Sequence, residues 1–431
     1  MPLKATDVFT PNDFPVHTYI QRAGEDLEGQ LRRALATPKQ VVSLSGPSKS
    51  GKTVLVEKVV GKDNLIQISG AMIKEPDDLW NLVLDWMEVP HSEVAQAGST
   101  STHQASVRGG GKAGVPFLTE ASGEAGYQYA KAKAETTAAT LQRRGLAQVE
   151  KEIAASAFVI FVDDFHYMDR GVQVAAAQQI KAAAERGVRI CVASVPHRAD
   201  DVVRSNPELR GRTANIDTAF WGPDQLAEIA RVGFKKLNVT ITDADATFFA
   251  TEACGSPQIM QSLCLQTCFI TGTEEEQAKQ ESLTLNTSLK RRILQATSTV
   301  CDYSSLVGQM HQGPKTRGTE RKEFIFKDGS KGDVYRAVLL ALADDPPRMD
   351  FPWAEISKRI ENVCAGGTTP VGSSYAEACK QISAIALNAY PAQRIIEWDE
   401  NASVETLTIV DPYLLFFLRS SQKLASLGKS Q

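Results

Sequence analysis

The chain has 431 residues, of which 42% are hydrophobic, 7% aromatic and 23% charged. That is enough for two or three domains of about 150 residues and for sizeable cores. Its 47 Lys and Arg against 51 Asp and Glu leave a formal charge of −4, which excludes the basic balance of a general nucleic-acid binder, so any DNA contact has to come from a local patch. Secreted, membrane-spanning, collagenous and disulfide-stapled classes are excluded too. No apolar run approaches the roughly 18 to 20 residues of a membrane span, and Met1-Pro2-Leu3-Lys4 lacks a signal-peptide core. The seven cysteines are odd in number and hold no CxxC pair, so buried free thiols are preferred over disulfides or zinc, and a cytoplasmic setting is expected.

The first element with a chemical signature is Val41-Val42-Ser43-Leu44-Ser45, a short strand-like run leading into Gly46-Pro47-Ser48-Lys49-Ser50-Gly51-Lys52-Thr53. This octapeptide fits GxxxxGK[ST] at every fixed position, and a helix from Val54 to Val60 is expected after it. The chemistry needs these residue types because backbone N–H groups must wrap a phosphate closely, which favours Gly where φ is positive. Gly46, Pro47, Ser48, Lys49, Ser50, Gly51, Lys52, Thr53 and Val54 are therefore the candidate phosphate contacts. Lys52 is placed to reach the β- and γ-phosphates of a nucleotide, and the Thr53 hydroxyl to hold Mg²⁺.

About 110 residues further on, Phe158-Val159-Ile160-Phe161-Val162 reads as a strand buried on both faces and ends in Asp163-Asp164. Alone, two acids at a strand end are as readily a cap for the next helix. Behind a P-loop they form a Walker B pattern, with Asp163 on Mg²⁺ and Asp164 orienting or deprotonating the attacking water. A helix from Gly171 to Arg186 and a third strand, Val188 to Val195, continue the alternation that implies a parallel sheet with its ligand at the strands' carboxyl ends. Ser194 near the end of that strand either senses the γ-phosphate or the attacking water, or is an ordinary turn serine.

With these motifs the chain resembles the AAA+ superfamily, and within it the initiator-like and STAND-like ATPases. The resemblance covers residues about 8 to 270 by ordered motifs and 333 to 420 more weakly. It implies an α/β fold: a P-loop NTPase parallel-sheet core with a helical lid, followed by a winged-helix domain, with ATP and Mg²⁺ as cofactors. Tyr19 to Leu27, followed by a helix to Leu35, looks like the box that packs beside the adenine, which makes Ile20 and Arg22 base-side contacts by resemblance. Glu208-Leu209-Arg210-Gly211-Arg212 precedes a short strand, Ala214 to Asp217, where this clade often carries an arginine finger for a neighbouring subunit. Arg212 is the first choice and Arg210 the second, ahead of Arg204 and Arg198, and each is equally readable as a solvated surface residue.

Beyond Trp221-Gly222-Pro223 the pattern turns wholly helical, with Asp224 to Leu237, Asp243 to Ala253 and Pro257 to Ile270 as the lid. Gly255-Ser256-Pro257 stands where many AAA+ lids carry an arginine and looks like the GxP motif of STAND lids, which implies that Pro257 packs against the adenine. Its other reading is a plain helix start.

Three helices, Asp333 to Ala343, Pro352 to Val363 and Ser373 to Ala389, then precede two alternating runs, Arg394 to Trp398 and Thr406 to Val410. Together they make a winged helix, closed by a helix from Asp411 to Arg419 with an Asp cap and Pro first. The expected recognition helix offers only Lys380, Gln381 and Asn388 beside Glu377, poor material for reading bases. The segment before the domain has six basic residues, Lys315, Arg317, Arg321, Lys322, Lys327 and Lys331, against three acidic ones. It is either a solvated tether or a phosphate contact.

The expected organisation is a core over 1–221 with an insertion at about 91–145, a lid and following helices over 222–311, a basic linker over 312–332 and the winged helix over 333–431. The insertion is rich in Ala, Gly, Ser and Thr and buries too little to fold alone. Either it is disordered, or a partner surface completes a hairpin through Tyr127, Tyr129, Lys131 and Lys133. Three functions follow: a nucleotide-gated homo-oligomeric switch for a separate effector, a DNA-associated loader acting through the wing and linker, or an ATP-binding scaffold with negligible turnover. DNA is a partner that is not favoured, a membrane is not expected, and no second enzymatic domain is visible.

Overall fold

A computed structural model describes residues 2–22, 24–89, 145–195, 209, 211–315, 321–391, 393–399 and 404–428. The insertion expected at 91–145 lies outside the described residues except for its last one, as do Arg198, Arg204 and Arg210.

The first half of the chain is a sandwich of helices around one parallel sheet. A short helix, Ala5–Val8 (α1), precedes Leu27–Ala36 (α2), then Val41–Ser45 (β1) and Lys52–Val60 (α3). Leu65–Ser69 (β2), Asp78–Trp86 (α4), Leu146–Ile153 (α5), Val159–Asp163 (β3), Arg170–Glu185 (α6), Arg189–Ser194 (β4) and Thr213–Asp217 (β5) follow. The strand order is β2-β3-β4-β1-β5, with every neighbouring pair parallel.

Strand composition follows strand position. Central β1 is buried at all five residues, whereas edge strand β5 buries only Ile216, as expected when helices cover both faces of central strands but only one side of the edge has a partner. Alternate side chains feed two clusters. Val41, Ile160, Val162, Ile190 and Val192 pack under α4, α5 and α6. Val42, Leu44, Val159, Phe161, Cys191 and Ala193 pack under α2 and α3. Because all strands run the same way, Ser45 of β1, Asp163 of β3 and Ser194 of β4 end on one rim.

The second half is mostly helical: Pro223–Lys236 (α7), Asp243–Glu252 (α8), Pro257–Thr271 (α9), Thr287–Ser298 (α10) and Ser304–Gln312 (α11). It is not wholly so, since Val239–Ile241 (β6) pairs in parallel with Glu281–Leu283 (β7). Runs of three residues are too short to stand out from the surrounding helical pattern. The expected basic linker holds a small hairpin, Phe324–Ile325 (β8) with Lys331–Gly332 (β9), whose Phe324 and Phe326 are buried.

Next come Val334–Ala343 (α12), Asp350–Pro352 (β10), Trp353–Val363 (α13), Gly372–Ala389 (α14), Ile396–Asp399 (β11), Thr406–Ile409 (β12), Pro412–Ser420 (α15) and Lys423–Leu427 (α16). An antiparallel sheet ordered β10-β12-β11 against three helices is a winged helix. Asp333 and Asp411 cap α12 and α15 through their side chains. Lid and winged helix share one apolar cluster, which also takes in Ala5, Val8 and Phe9 from the amino-terminal segment. All seven cysteines are free and six are buried. No helix among the described residues is long and apolar enough to cross a membrane.

Candidate functional site

A cavity of about 570 Å³ opens at the rim of the sheet, between the P-loop, the amino-terminal segment and the start of α9. Its phosphate end is Ser48 to Leu55 with Asp163 and Asp164. The loop adopts its shape because glycine stands where a side chain cannot: a Cβ on Gly46 would overlap the Thr218 hydroxyl and carbonyl, and Gly51 has φ +89°. Gly51 starts α3 with no side chain over the first N–H groups and no acid in the first turn. That helix end is therefore free to take an anion.

Lys52 is 7% exposed and its Nζ donates to the carbonyls of Gly46 and Pro47, 2.8 Å each. Burial lowers its pKa, while Asp163 and Asp164 work in the opposite direction. The Thr53 hydroxyl donates to Asp163 Oδ2 at 2.6 Å, joining the P-loop to the end of β3 across 110 residues of sequence. The other oxygen of Asp163 accepts the Asp164 N–H at 3.0 Å. Asp164 sits in the left-handed region, φ 55°. Its carboxyl is pushed up to about 6, first by burial and then by the charge of Asp163.

These donors fit a nucleotide with Mg²⁺: a glycine cradle, an uncapped helix end, a buried ammonium and a Thr–Asp oxygen pair. Among the described residues no group of three or more His, Cys, Asp or Glu could hold a metal by itself, so a Mg²⁺ on Thr53 and Asp163 would draw further ligands from phosphate and water, its usual habit.

The other expected residues are placed as follows. Ile20, Arg22 and Pro257 all line the cavity, and Pro257 lies close over Gly51. The Arg22 guanidinium, however, turns to the loop backbone. It donates to Ala219 O at 2.8 Å and Ser50 O at 3.3 Å, and lies 4.6 Å over the Trp221 ring. Ser194 is 2% exposed and outside the cavity wall; its carbonyl accepts the Gly46 N–H at 3.2 Å. Gly46 and Pro47 likewise lie behind the wall, holding Lys52. Arg212 sits before the first residue of β5, at the opposite end of the strands from the P-loop, and pairs with Glu185.

Several contributors were missed in the sequence. Trp221 Nε1 donates to Ser50 O at 2.8 Å, so one loop carbonyl takes both Trp221 and Arg22. Thr218 bonds Ser45 O and meets the Ser50 hydroxyl at 3.2 Å. Ser256, the cap of α9, reaches Lys49 O at 3.5 Å, and Gln258 and Gln261 complete the wall on the lid side. The one available signal was the Trp221-Gly222-Pro223 junction between strand and lid.

No family model matches the chain, and none of the curated proteins does. Among solved structures it is similar to Cdc6p from Pyrobaculum aerophilum, with a TM-score of 0.43, 11% identity and 100% of both chains covered. It is also similar to the ORC2 protein of Aeropyrum pernix, at 0.48, 10% and 99% of each chain, and to a Walker-type ATPase of Pyrococcus abyssi, at 0.47 and 13%, over 93% of this chain and 96% of that one. The strand order with β4 between the P-loop strand and the acidic strand gives this chain a P-loop NTPase fold, with a helical lid and a winged helix behind it.

Proposed function

We propose that this chain binds ATP with Mg²⁺ in the cavity, hydrolyses it, and acts as a nucleotide-gated oligomeric switch for a separate effector, in the manner of STAND-like proteins. One observation carries the reading. The 2.6 Å contact between Thr53 and Asp163 joins the P-loop and the Walker B strand on the wall of one cavity, beside a buried Lys52.

Bound Mg²⁺ would neutralise charge between the β- and γ-phosphates, with Thr53 and Asp163 as its protein ligands. The first N–H groups of α3 bind phosphate, and Lys52 exchanges loop carbonyls for phosphate oxygens. Asp164, whose carboxyl burial raises above the ordinary aspartate range, stands beside Asp163 on the cavity wall as the proton acceptor for the attacking water. Arg22 and Trp221 fix the loop from outside through Ser50 O. Ser194 does not reach the cavity and supports the loop only through its carbonyl, which accepts the Gly46 N–H, and Arg212, with Arg210 behind it, would serve a neighbouring subunit's γ-phosphate. Pro257 at the start of α9 couples what fills the cavity to the lid, and the shared apolar cluster carries that movement to the winged helix. The loader reading stays second because α14 contains a single cation, Lys380.

Phosphate release and ATP binding test this together. Asp164→Asn is expected to lose about 100-fold or more in turnover with binding retained, and Lys52→Ala to lose binding. Turnover in the unaltered chain no higher than in Lys52→Ala would overturn the enzymatic reading and leave the scaffold. Light scattering with ATP and Mg²⁺, with and without duplex DNA, reads the switch: a mass change driven by nucleotide alone is expected, and one that needs DNA and falls steeply with salt would favour the loader.

A further inference from the structure

The amino-terminal segment precedes the sheet in sequence but is fastened to the lid. Leu3 O accepts the Glu276 N–H and the Ala5 N–H donates to Glu274 O, 2.8 Å each, while Lys4 forms a β-bridge with Glu275. Phe9 and Phe234 of α7 are both fully buried, with ring centroids 5.1 Å apart. Position 233 of α7 is glycine, where a Cβ would run into the Phe9 ring. Asn12 Oδ1 accepts from Gln258 Nε2 of α9 at 3.0 Å.

From Thr18 to Gln21 the side chains alternate between two bodies, the period-2 pattern of an extended chain. Thr18 accepts from Gln261 Nε2 at 2.7 Å, and Ile20 packs on the lid cluster. Tyr19 donates to Glu28 Oε1 of α2 at 2.6 Å and has Lys58 Nζ of α3 5.0 Å over its ring, and Gln21 reaches the same carboxylate at 3.4 Å. The chain crosses between the bodies again at Thr218 to Gly222: the Thr218 N–H bonds Ser45 O on the sheet at 2.6 Å, and the Trp221 N–H bonds Gly255 O in the lid at 3.3 Å. One guanidinium ties the two crossings together, since Arg22 donates to Ala219 O at 2.8 Å and lies over the Trp221 ring.

Two short crossings leave the lid little freedom. Thr18 to Arg22 and Thr218 to Gly222 are each four peptide steps, so neither can span more than about 14 Å even when fully extended. A body tied at two such points cannot withdraw, but it can turn about the line through them.

We propose that residues 3–18 are part of the lid, and that the lid turns on a two-stranded hinge, Thr18–Arg22 beside Thr218–Gly222, with Arg22 as its pin. Helix α1 is then a lever that swings against the sheet when nucleotide fills the cavity. The grouping of residues 3–18 with the lid does not depend on what the cavity holds; the swing rests on the nucleotide reading and adds its axis.

Two measurements on the full chain test this. In native-state hydrogen exchange at low denaturant, residues 3–18 are expected to open together with Pro223–Lys236 and Pro257–Thr271 while Leu27–Ala36 stays protected. Opening with Leu27–Ala36, or alone, would overturn the grouping. For the swing, spin labels are placed on cysteines at the exposed positions Thr6, Arg32 and Lys235 in a Cys301→Ser background, the other six thiols being buried. ATP with Mg²⁺ is expected to shift the Thr6–Arg32 and Lys235–Arg32 distances together, by several ångström and by less than the reach of about 14 Å, with Thr6–Lys235 unmoved. Movement of Lys235 against a fixed Thr6–Arg32 distance would place the segment with the sheet. Arg22→Ala is expected to broaden the nucleotide-free distances to Arg32 about 2-fold and to leave the width of Thr6–Lys235 as it was; equal widths throughout would overturn the pin. Coupled exchange without any shift on adding ATP would overturn the swing, and ATP binding that persists in that case, and is lost in Lys52→Ala, would leave the nucleotide reading standing.

Discussion

On the sheet, apolar side chains form two clusters on opposite faces, whereas in the lid and the winged helix a single cluster runs through both. The difference teaches where the molecule can move. A seam between clusters opens at small cost in exposed apolar area, and a continuous cluster does not. The cavity lies on such a seam, with the P-loop on one side and Ile229, Pro257 and Gln261 on the other. Lid and winged helix are therefore expected to move as one body.

The most damaging way to break that body is at Arg419 of α15. Its guanidinium meets Glu252 of α8 at 2.8 and 3.1 Å and Ala343 O at 2.8 Å, with side-chain exposures of 8% for Arg419 and 12% for Glu252. Arg419→Ala leaves a half-enclosed carboxylate without its partner, a loss of about 3–5 kcal/mol. Hydrogen exchange should quicken in Asp243–Glu252 and Pro412–Ser420 together, with Val41–Ser45 and Val159–Asp163 unmoved. Exchange that rose only in Pro412–Ser420 would mean that the lid and the wing are separate units after all.

A smaller effect is expected at the seam. Trp221→Phe removes one of the two donors to Ser50 O while Arg22 keeps the other. One hydrogen bond is worth about 1 kcal/mol, so ATP affinity should fall about 5-fold with stability nearly unchanged. A loss as large as that of Lys52→Ala would show that Trp221, not Arg22, holds the loop in shape.

The seam also marks how far the sequence could be read. The phosphate end was legible because its chemistry is contiguous: eight residues carry the cradle, and a strand buried on both faces delivers Asp163 and Asp164 to the same rim. The base end was legible only in part. Arg22 does line the cavity, but the resemblance that located it could not show its charge going to Ser50 O and the Trp221 ring. Gln261 and Thr18 are 243 residues apart, and their hydrogen bond exists only once the amino-terminal segment is folded over α9. β10 was missed for another reason. Asp350–Pro352 is three residues long and contains a proline, so it is a strand only because β12 offers it an edge.

The smallest effect is expected on the outer face of the winged helix, where it sharpens what the moving body presents. Of the polar residues suited to nucleic acid in α14, Gln381 is bonded to Glu377, and Lys380 is the lone cation. A helix that read DNA through phosphates would lose about one unit of salt slope with each cation removed. Lys380→Ala is therefore expected to leave duplex affinity within about 2-fold and the slope of its logarithm against that of salt unchanged, as measured by filter binding from low to physiological salt. A slope reduced by about 1, with affinity falling about 10-fold, would place the helix against a phosphate. The body carried by the lid would then be a DNA-binding one, and the loader would replace the switch as the better account of what nucleotide in the cavity controls.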